Sequence, residues 1–274
     1  MKVAALQMTS TFTWEANLTQ ALELLREASE QGAELAVLPE YFCLMGQRDG
    51  DKLRIQEAMG SGPMQEMMSN AAKTLGLWIV AGSLPLSPNH DTQSRQVYNS
   101  SLAFNPDGVC VARYDKMHLF QFKTDTEQYD EHRSLLAGAK PTLFELQDQR
   151  GEIWRIGMSI CYDLRFPELY RVYAQQGADV VLVPSAFTKT TGLAHWETLL
   201  KARAIENLAY VVAPAQSGLH DNGRQTHGHS MVVDPWGVVV AQKESGVGVV
   251  MAELSHDLVA QHRSRLPALG HRRL

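Results

Sequence analysis

Gly32-Ala33-Glu34-Leu35-Ala36-Val37-Leu38-Pro39 is matched, position by position in side-chain type, by Gly177-Ala178-Asp179-Val180-Val181-Leu182-Val183-Pro184. Each segment follows a helix-like stretch and enters a short apolar run that stops at proline. A second pair follows in the same order: Asn105-Pro106-Asp107-Gly108-Val109-Cys110-Val111-Ala112 and Asp234-Pro235-Trp236-Gly237-Val238-Val239-Val240-Ala241. Two echoes in one order point to two similar half-folds of α/β class. Each half would give a sheet with helices on its outer side, and the sheets would pack face to face. The alternative is that both pairs are common α/β punctuation, because turn signals constrain topology loosely.

Working outward, strand-like and helix-like segments alternate. Residues 3–8 read as a strand and 14–31 as a helix, with Leu18, Leu22, Leu25 and Ala28 on one face and Gly32 as its stop. Pro63 opens a helix whose face carries Met64, Met67, Met68, Ala71 and Leu75, and Gly76 ends it. Those methionines read as core packing. Further strands are expected at 35–38, 77–81, 99–104, 109–114, 142–146, 153–160, 180–183, 210–213, 230–233, 238–241 and 247–254. Helices are expected at about 168–176, at about 194–207 and after a capping Ser255. Residues 117–141 have weak periodicity, and connections of that length tend to be functional.

With 274 residues, 45% of them hydrophobic, the chain can bury a large core. No Ser/Gly/Pro-rich stretch divides it, so a single domain over 1–274 is expected. The net charge is -5 and no basic block tracks a phosphate backbone, so nucleic acid is not an expected partner. The one Arg/His-rich cluster, 262–273, reads as a solvated C-terminal helix and tail. The run 3–8 is too short for a signal-peptide core or a membrane span, and no other stretch reaches membrane length. Cys43, Cys110 and Cys161 give an odd count at unpatterned spacing, which implies free thiols and a reducing, cytoplasmic setting.

Three reactive side chains fall just after expected strands: Glu40, Lys116 and Cys161. Sites in α/β sheets form at the carboxyl ends of strands. The types suit amide hydrolysis. A thiol is a strong nucleophile, and its thiolate is stronger. A nearby ammonium would lower the Cys161 pKa and stabilise an oxyanion. A carboxylate can take the thiol proton, pass it to the leaving amine and then activate water.

Here the text becomes specific. Cys161-Tyr162-Asp163-Leu164-Arg165-Phe166-Pro167-Glu168 resembles the nucleophile motif of the nitrilase superfamily. Leu38-Pro39-Glu40 resembles its glutamate motif, and Tyr114-Asp115-Lys116-Met117-His118-Leu119-Phe120 its lysine motif. The resemblance covers nearly the whole chain, with the motifs in the family's order. It implies a four-layer αββα sandwich that forms a homodimer, a catalytic Glu40–Lys116–Cys161 triad and no cofactor. It also implies that the Tyr162 backbone N–H joins Lys116 in binding the oxyanion. A second family glutamate matches Glu131, in the departing context Tyr129-Asp130-Glu131-His132.

Within the superfamily the chain is most similar to the Nit branch, the deaminated glutathione amidases. Pro184–Thr188, Thr191–Glu197, Arg203–Asn207 and Gly228–Gly237 carry that likeness. It implies hydrolysis to 2-oxoglutarate and cysteinylglycine, and so a small amide substrate bearing carboxylate. Arg165 is the natural carboxylate clamp, and Phe187 and Thr191 are the next candidates for the pocket. An ion-pair role for Arg165 is the alternative. A related omega-amidase, carbamoyl-amide hydrolase or nitrilase shares the triad, and a non-catalytic binding protein is a further reading that the intact triad opposes. Cys43 and Cys110 read as packing residues. His227 and His229 lack a third ligand at metal spacing, so no metal is expected. Gly246 and Gly248 do not make a phosphate loop.

Overall fold

The computed structural model describes residues 1–125 and 128–273. The first part of the chain forms β1 (Lys2–Gln7), α1 (Trp14–Glu30), β2 (Leu35–Val37), a one-turn α2 (Asp51–Arg54), α3 (Pro63–Leu75), β3 (Trp78–Leu86), β4 (Val97–Phe104) and β5 (Cys110–Asp115). The connection expected at 117–141 carries a hairpin, β6 (Gln121–Lys123) with β7 (Gln128–Asp130), and then β8 (Leu135–Leu136) beside β4. Residues 126 and 127 of that connection lie outside the described residues. The second part forms β9 (Thr142–Gln147), β10 (Ile153–Met158), α4 (Pro167–Gln175), β11 (Val180–Leu182), α5 (Lys189–Asn207) and β12 (Tyr210–Ala213). A hairpin of β13 (Ser217–Leu219) and β14 (Gln225–His227) follows, then β15 (Ser230–Val233), β16 (Val239–Lys243), β17 (Gly248–Glu253) and α6 (His256–Arg265).

The two large sheets have the same plan. One runs β17-β1-β2-β3-β4-β5, the other β9-β10-β11-β12-β15-β16. In both, the neighbours pair antiparallel, parallel, parallel, antiparallel, antiparallel. The echoed sequences occupy equivalent places. In the β4–β5 turn the Asn105 carboxamide oxygen accepts from Asp107 N and Val109 N; in the β15–β16 turn Asp234 Oδ1 accepts from Trp236 N and Val238 N. Gly108 and Gly237 take the left-handed step of each turn, at φ 79° and 88°. A register irregularity falls at the same point in each, Ala103/Phe104 and Val232/Val233.

Alternation along the strands builds the layers. Ala4, Leu6, Ala36, Leu38, Ile79 and Ala81 face α1 and α3, where Leu18, Leu25, Met64 and Met68 meet them. Val3, Ala5, Leu35, Val37 and Val80 face the other way, into a core shared with the second sheet. On the far side of that sheet α4 and α5 bury Leu169, Tyr170, Tyr173, Trp196 and Leu200. The layers are therefore α-β-β-α.

Two expectations need correction. The halves do not each complete their own sheet: β17, from the second half, pairs with β1 from Lys2↔Glu253 to Gln7↔Gly248. It fills the place that β9 fills in the other sheet and removes an exposed edge at β1. The helix expected from about 194 begins at Lys189, because the Thr188 hydroxyl caps it by accepting from Thr191 N. Gly192 lies inside that helix. No helix among the described residues is long and apolar enough to cross a membrane.

Candidate active site

Three chain segments leave the sheets close together. Glu40 lies three residues beyond β2, Lys116 directly follows β5 and Cys161 lies three residues beyond β10. All three are buried. The backbone here is bent sharply. Tyr41 and Cys161 adopt left-handed conformations, φ 57° and 49°, which are uncommon for residues that carry a side chain. Two glycines let neighbouring backbone come near. A Cβ on Gly82 would lie 2.0 Å from Leu38 O, and one on Gly138 would lie 2.0 Å from Asp115 O. No larger residue fits either place without moving the segments that carry Glu40 and Lys116.

Lys116 sits between two carboxylates. Its Nζ donates to Glu40 Oε1 at 2.8 Å and to Glu131 at 2.9 Å. Glu40 Oε1 also accepts from Asn99 Nδ2 at 3.0 Å, and Glu40 Oε2 from Ala186 N at 3.0 Å. Glu131 accepts from the Tyr41 hydroxyl at 2.7 Å and from Phe120 N at 2.7 Å. Burial opposes the Lys116 charge, but Glu131 and Glu40 overcome it and hold its pKa above the ordinary ammonium value. Burial likewise opposes the Glu131 charge; Lys116, then Lys52, outweigh it and hold that carboxyl below its ordinary range.

The thiol departs from expectation. Lys116 does pull the Cys161 pKa down, but burial and the adjacent Glu40 carboxylate push it up more strongly, well above the ordinary thiol value. The resting side chain is a neutral thiol beside a carboxylate that can accept its proton.

Glu40, Lys116, Glu131, Cys161, Tyr162, Arg165, Phe187 and Thr191 all line one small chamber, together with Phe120, Ala186, Thr188 and Arg224. The Arg165 guanidinium stands 5.8 Å from the Tyr162 ring centroid and 5.4 Å from that of Phe187. Its Nη1 lies 3.2 Å from His195 Nδ1, and it forms no ion pair with a carboxylate among the described residues. His227 and His229 stack at 4.1 Å beside α5, at a separate surface depression. Cys43 is buried, and burial pushes its thiol up to about 12; Cys110 lies in β5. None of the three cysteines is in a disulfide.

Residues 2–264 match the sequence model of the carbon–nitrogen hydrolase family. The chain belongs to that family. It is 43% identical over 270 residues to the deaminated glutathione amidase of a Synechocystis species, covering 98% of this chain and 97% of that one. Among solved structures it is similar to Saccharomyces cerevisiae Nit3, described as a member of branch 10 of the nitrilase superfamily. That match has a TM-score of 0.87 and 30% identity, and covers 100% of this chain and 97% of that one. It also matches the Caenorhabditis elegans NitFhit protein with a TM-score of 0.87 and 37% identity; there it covers 99% of itself and spans 65% of that longer chain.

This carbon–nitrogen hydrolase also holds site residues that motif reading did not single out. Asp163 is fully buried and ties the nucleophile turn to the lysine segment. Its Oδ2 accepts from Ile160 N at 2.8 Å and from the Tyr114 hydroxyl at 2.7 Å, while its Oδ1 accepts from His118 N at 3.0 Å and lies 2.6 Å from His118 Nδ1. The His118 ring stacks on Phe166 at 3.7 Å. Asp163, Tyr114, His118 and Phe166 stand inside the quoted motifs, so the signal was present and only the pairing was missing. Asn99, Tyr41, Lys52 and Arg224 carry no spacing signal, because their approach to Glu40 and Glu131 is made by the fold.

Proposed function

We propose that this chain is an amidase that hydrolyses deaminated glutathione to 2-oxoglutarate and cysteinylglycine through a thioester on Cys161. The observation that carries the reading is the meeting of a neutral Cys161 thiol, the Glu40 carboxylate and the buried Lys116 ammonium in one chamber that also presents an Arg165 guanidinium without a carboxylate partner among the described residues. The name of the similar Synechocystis protein supports the same substrate.

The steps follow from the charges. The Cys161 sulfur attacks the amide carbonyl while its proton passes to Glu40. The developing oxyanion is met by Lys116 Nζ and the Tyr162 backbone N–H. Protonated Glu40 then delivers the proton to the departing amine, and cysteinylglycine leaves. A water enters, gives its proton to Glu40 and attacks the thioester; the C–S bond breaks, 2-oxoglutarate leaves and Glu40 returns the proton to the Cys161 sulfur. Glu131, already bonded to Tyr41 and Phe120 N, holds Lys116 in place throughout. Arg165 binds the carboxylate of the 2-oxo-acid half, with Phe187 and Thr191 shaping that side. The unpaired cysteines support a cytoplasmic setting. Exposed Ile205, Trp236 and Val238 support association as a homodimer.

The test is a substrate panel: deaminated glutathione, the primary amide of 2-oxoglutarate, a carbamoyl amide and a nitrile. Deaminated glutathione is expected to give the highest kcat/KM, with Arg165→Gln lowering it mainly through KM. A higher kcat/KM on any other member would move the chain to a sister activity.

A further inference from the structure

The chamber that holds Cys161 opens past Phe120, Glu131 and Arg224 into a larger cleft of about 550 Å³. Lys52 and Arg224 line this cleft, and neither has a carboxylate at ion-pair distance among the described residues. Each is half-buried and lies against an aromatic ring. Lys52 Nζ is 5.4 Å from the Tyr41 centroid, and the Arg224 guanidinium is 5.1 Å from that of Tyr129. Arg224 donates Nη2 to Ala186 O at 2.7 Å and turns Nη1 toward Met45 Sδ at 3.9 Å, while its Nε is buried with no partner among the described residues.

The two cations also act on each other. Burial pushes the Lys52 pKa down, and Lys116 and Arg224 add to that effect. Glu131 and then Asp49 are the nearby counter-charges, and Asp130 also lines the cleft; neither Asp49 nor Asp130 reaches ion-pair distance of Lys52 or Arg224 among the described residues, and the Glu131 oxygens already accept from Tyr41, Lys116 and Phe120 N. Withdrawing cations from water beside one another is costly unless an anion joins them. The missing anion has a natural source on the reading given above, on which this inference rests. The amine half of that substrate ends in a carboxylate, and an extended dipeptide spans about 7 Å. With the scissile carbonyl at Cys161, that end passes out of the chamber into the cleft.

We propose that Lys52 and Arg224 bind the terminal carboxylate of the leaving amine, making the enzyme selective for amides of amino acids or short peptides with a free carboxyl end. Arg165 and this pair then bracket the scissile bond, one guanidinium for the acyl half and two cations for the amine half. A substrate bound the wrong way round would not place its amide at the thiol.

The experiment uses three amides with the same 2-oxoglutaryl half, whose amines are cysteinylglycine, cysteinylglycinamide and ammonia. It reads the ratio of kcat/KM on the acid to that on its amide, for wild type, Lys52→Met, Lys52→Arg and Arg224→Gln. Because both substrates meet the same protein, loss of folded enzyme cancels in the ratio. Wild type is expected to favour the acid by about tenfold or more, chiefly through KM, the scale of one charge-assisted hydrogen bond. Lys52→Met should bring the ratio near one, Arg224→Gln should lower it and Lys52→Arg should keep it. Lys52 is the cleaner probe, since Arg224 also holds Ala186, whose N–H binds Glu40. Equal wild-type rates on acid and amide, or an unchanged ratio in Lys52→Met, would overturn the proposal. Hydrolysis of the ammonia amide alone would keep the acyl-half reading and defeat this one. Failure on all three amides would remove both.

Discussion

At Cys161, the strained turn and the neighbouring charges together decide how the thiol reacts. Asp163 accepts the Ile160 N–H just before it and so fixes the turn that presents the sulfur. Because burial and Glu40 hold the thiol pKa high, alkylation of Cys161 by iodoacetamide should be slow at neutral pH and rise only in alkaline solution. Rapid labelling at pH 6 would show a stable thiolate and contradict the charge balance. Lys116→Met removes the cation between two buried carboxylates and, on the proposed mechanism, an oxyanion donor. It should cost about a hundredfold or more in kcat and about 3–5 kcal/mol of stability, read by denaturant unfolding. Retained kcat would show that Lys116 only holds structure. The identities of Glu40, Lys116 and Cys161 were legible because each stands in a recognisable phrase at a strand end. The direction of the Cys161 shift was not, since it depends on how closely Glu40 and Lys116 approach and on how dry the chamber is.

Among the elements, the two turn hairpins carry the same side-chain-to-backbone bonds and the same bulge, so the echoed text did encode equivalent geometry. What stayed hidden were pieces too short to show a period: α2, the β6–β7 hairpin and the β13–β14 hairpin. Two of these supply Lys52 and the turn bearing Arg224, which is why the outer cleft could not be read from the chain. The start of α5 was misplaced because its cap rests on a single threonine, Thr188, directly before the helix begins. Close approach of β3 to the Glu40 segment gives a prediction at this scale. Gly82→Ala places a methyl 2.0 Å from a backbone carbonyl, so it should destabilise the fold by about 1–3 kcal/mol. It should also lower turnover in the protein that remains folded. A variant with unchanged thermal midpoint and activity would show that the segment has slack.

Across the whole molecule, two sheets of one plan pack through a shared core, and β17 fastens the end of the second half to the beginning of the first. A chain ended at Gly246 would leave β1 an open edge and remove Val250 and Leu254 from the core. It should be recovered as aggregate; a soluble product with a cooperative thermal transition would contradict that role. Acid stability tests the buried charges together. Glu131 has its pKa held below the ordinary 4.5, so the stability it contributes is present above that value and is lost as pH falls through its lower folded value. Wild type should therefore lose stability below about pH 4.5 more steeply than Glu131→Gln. Equal slopes would mean that Glu131 is not held ionised.

The central claim is that Cys161 carries the acyl group. The direct measurement is intact-protein mass spectrometry after rapid quench of a reaction with deaminated glutathione, with peptide mapping of the product and Cys161→Ala alongside. The account predicts a 2-oxoglutaryl adduct mapped to Cys161 in wild type, and neither adduct nor turnover in the variant. Turnover that survives in Cys161→Ala, or an adduct mapped to another residue, would contradict it.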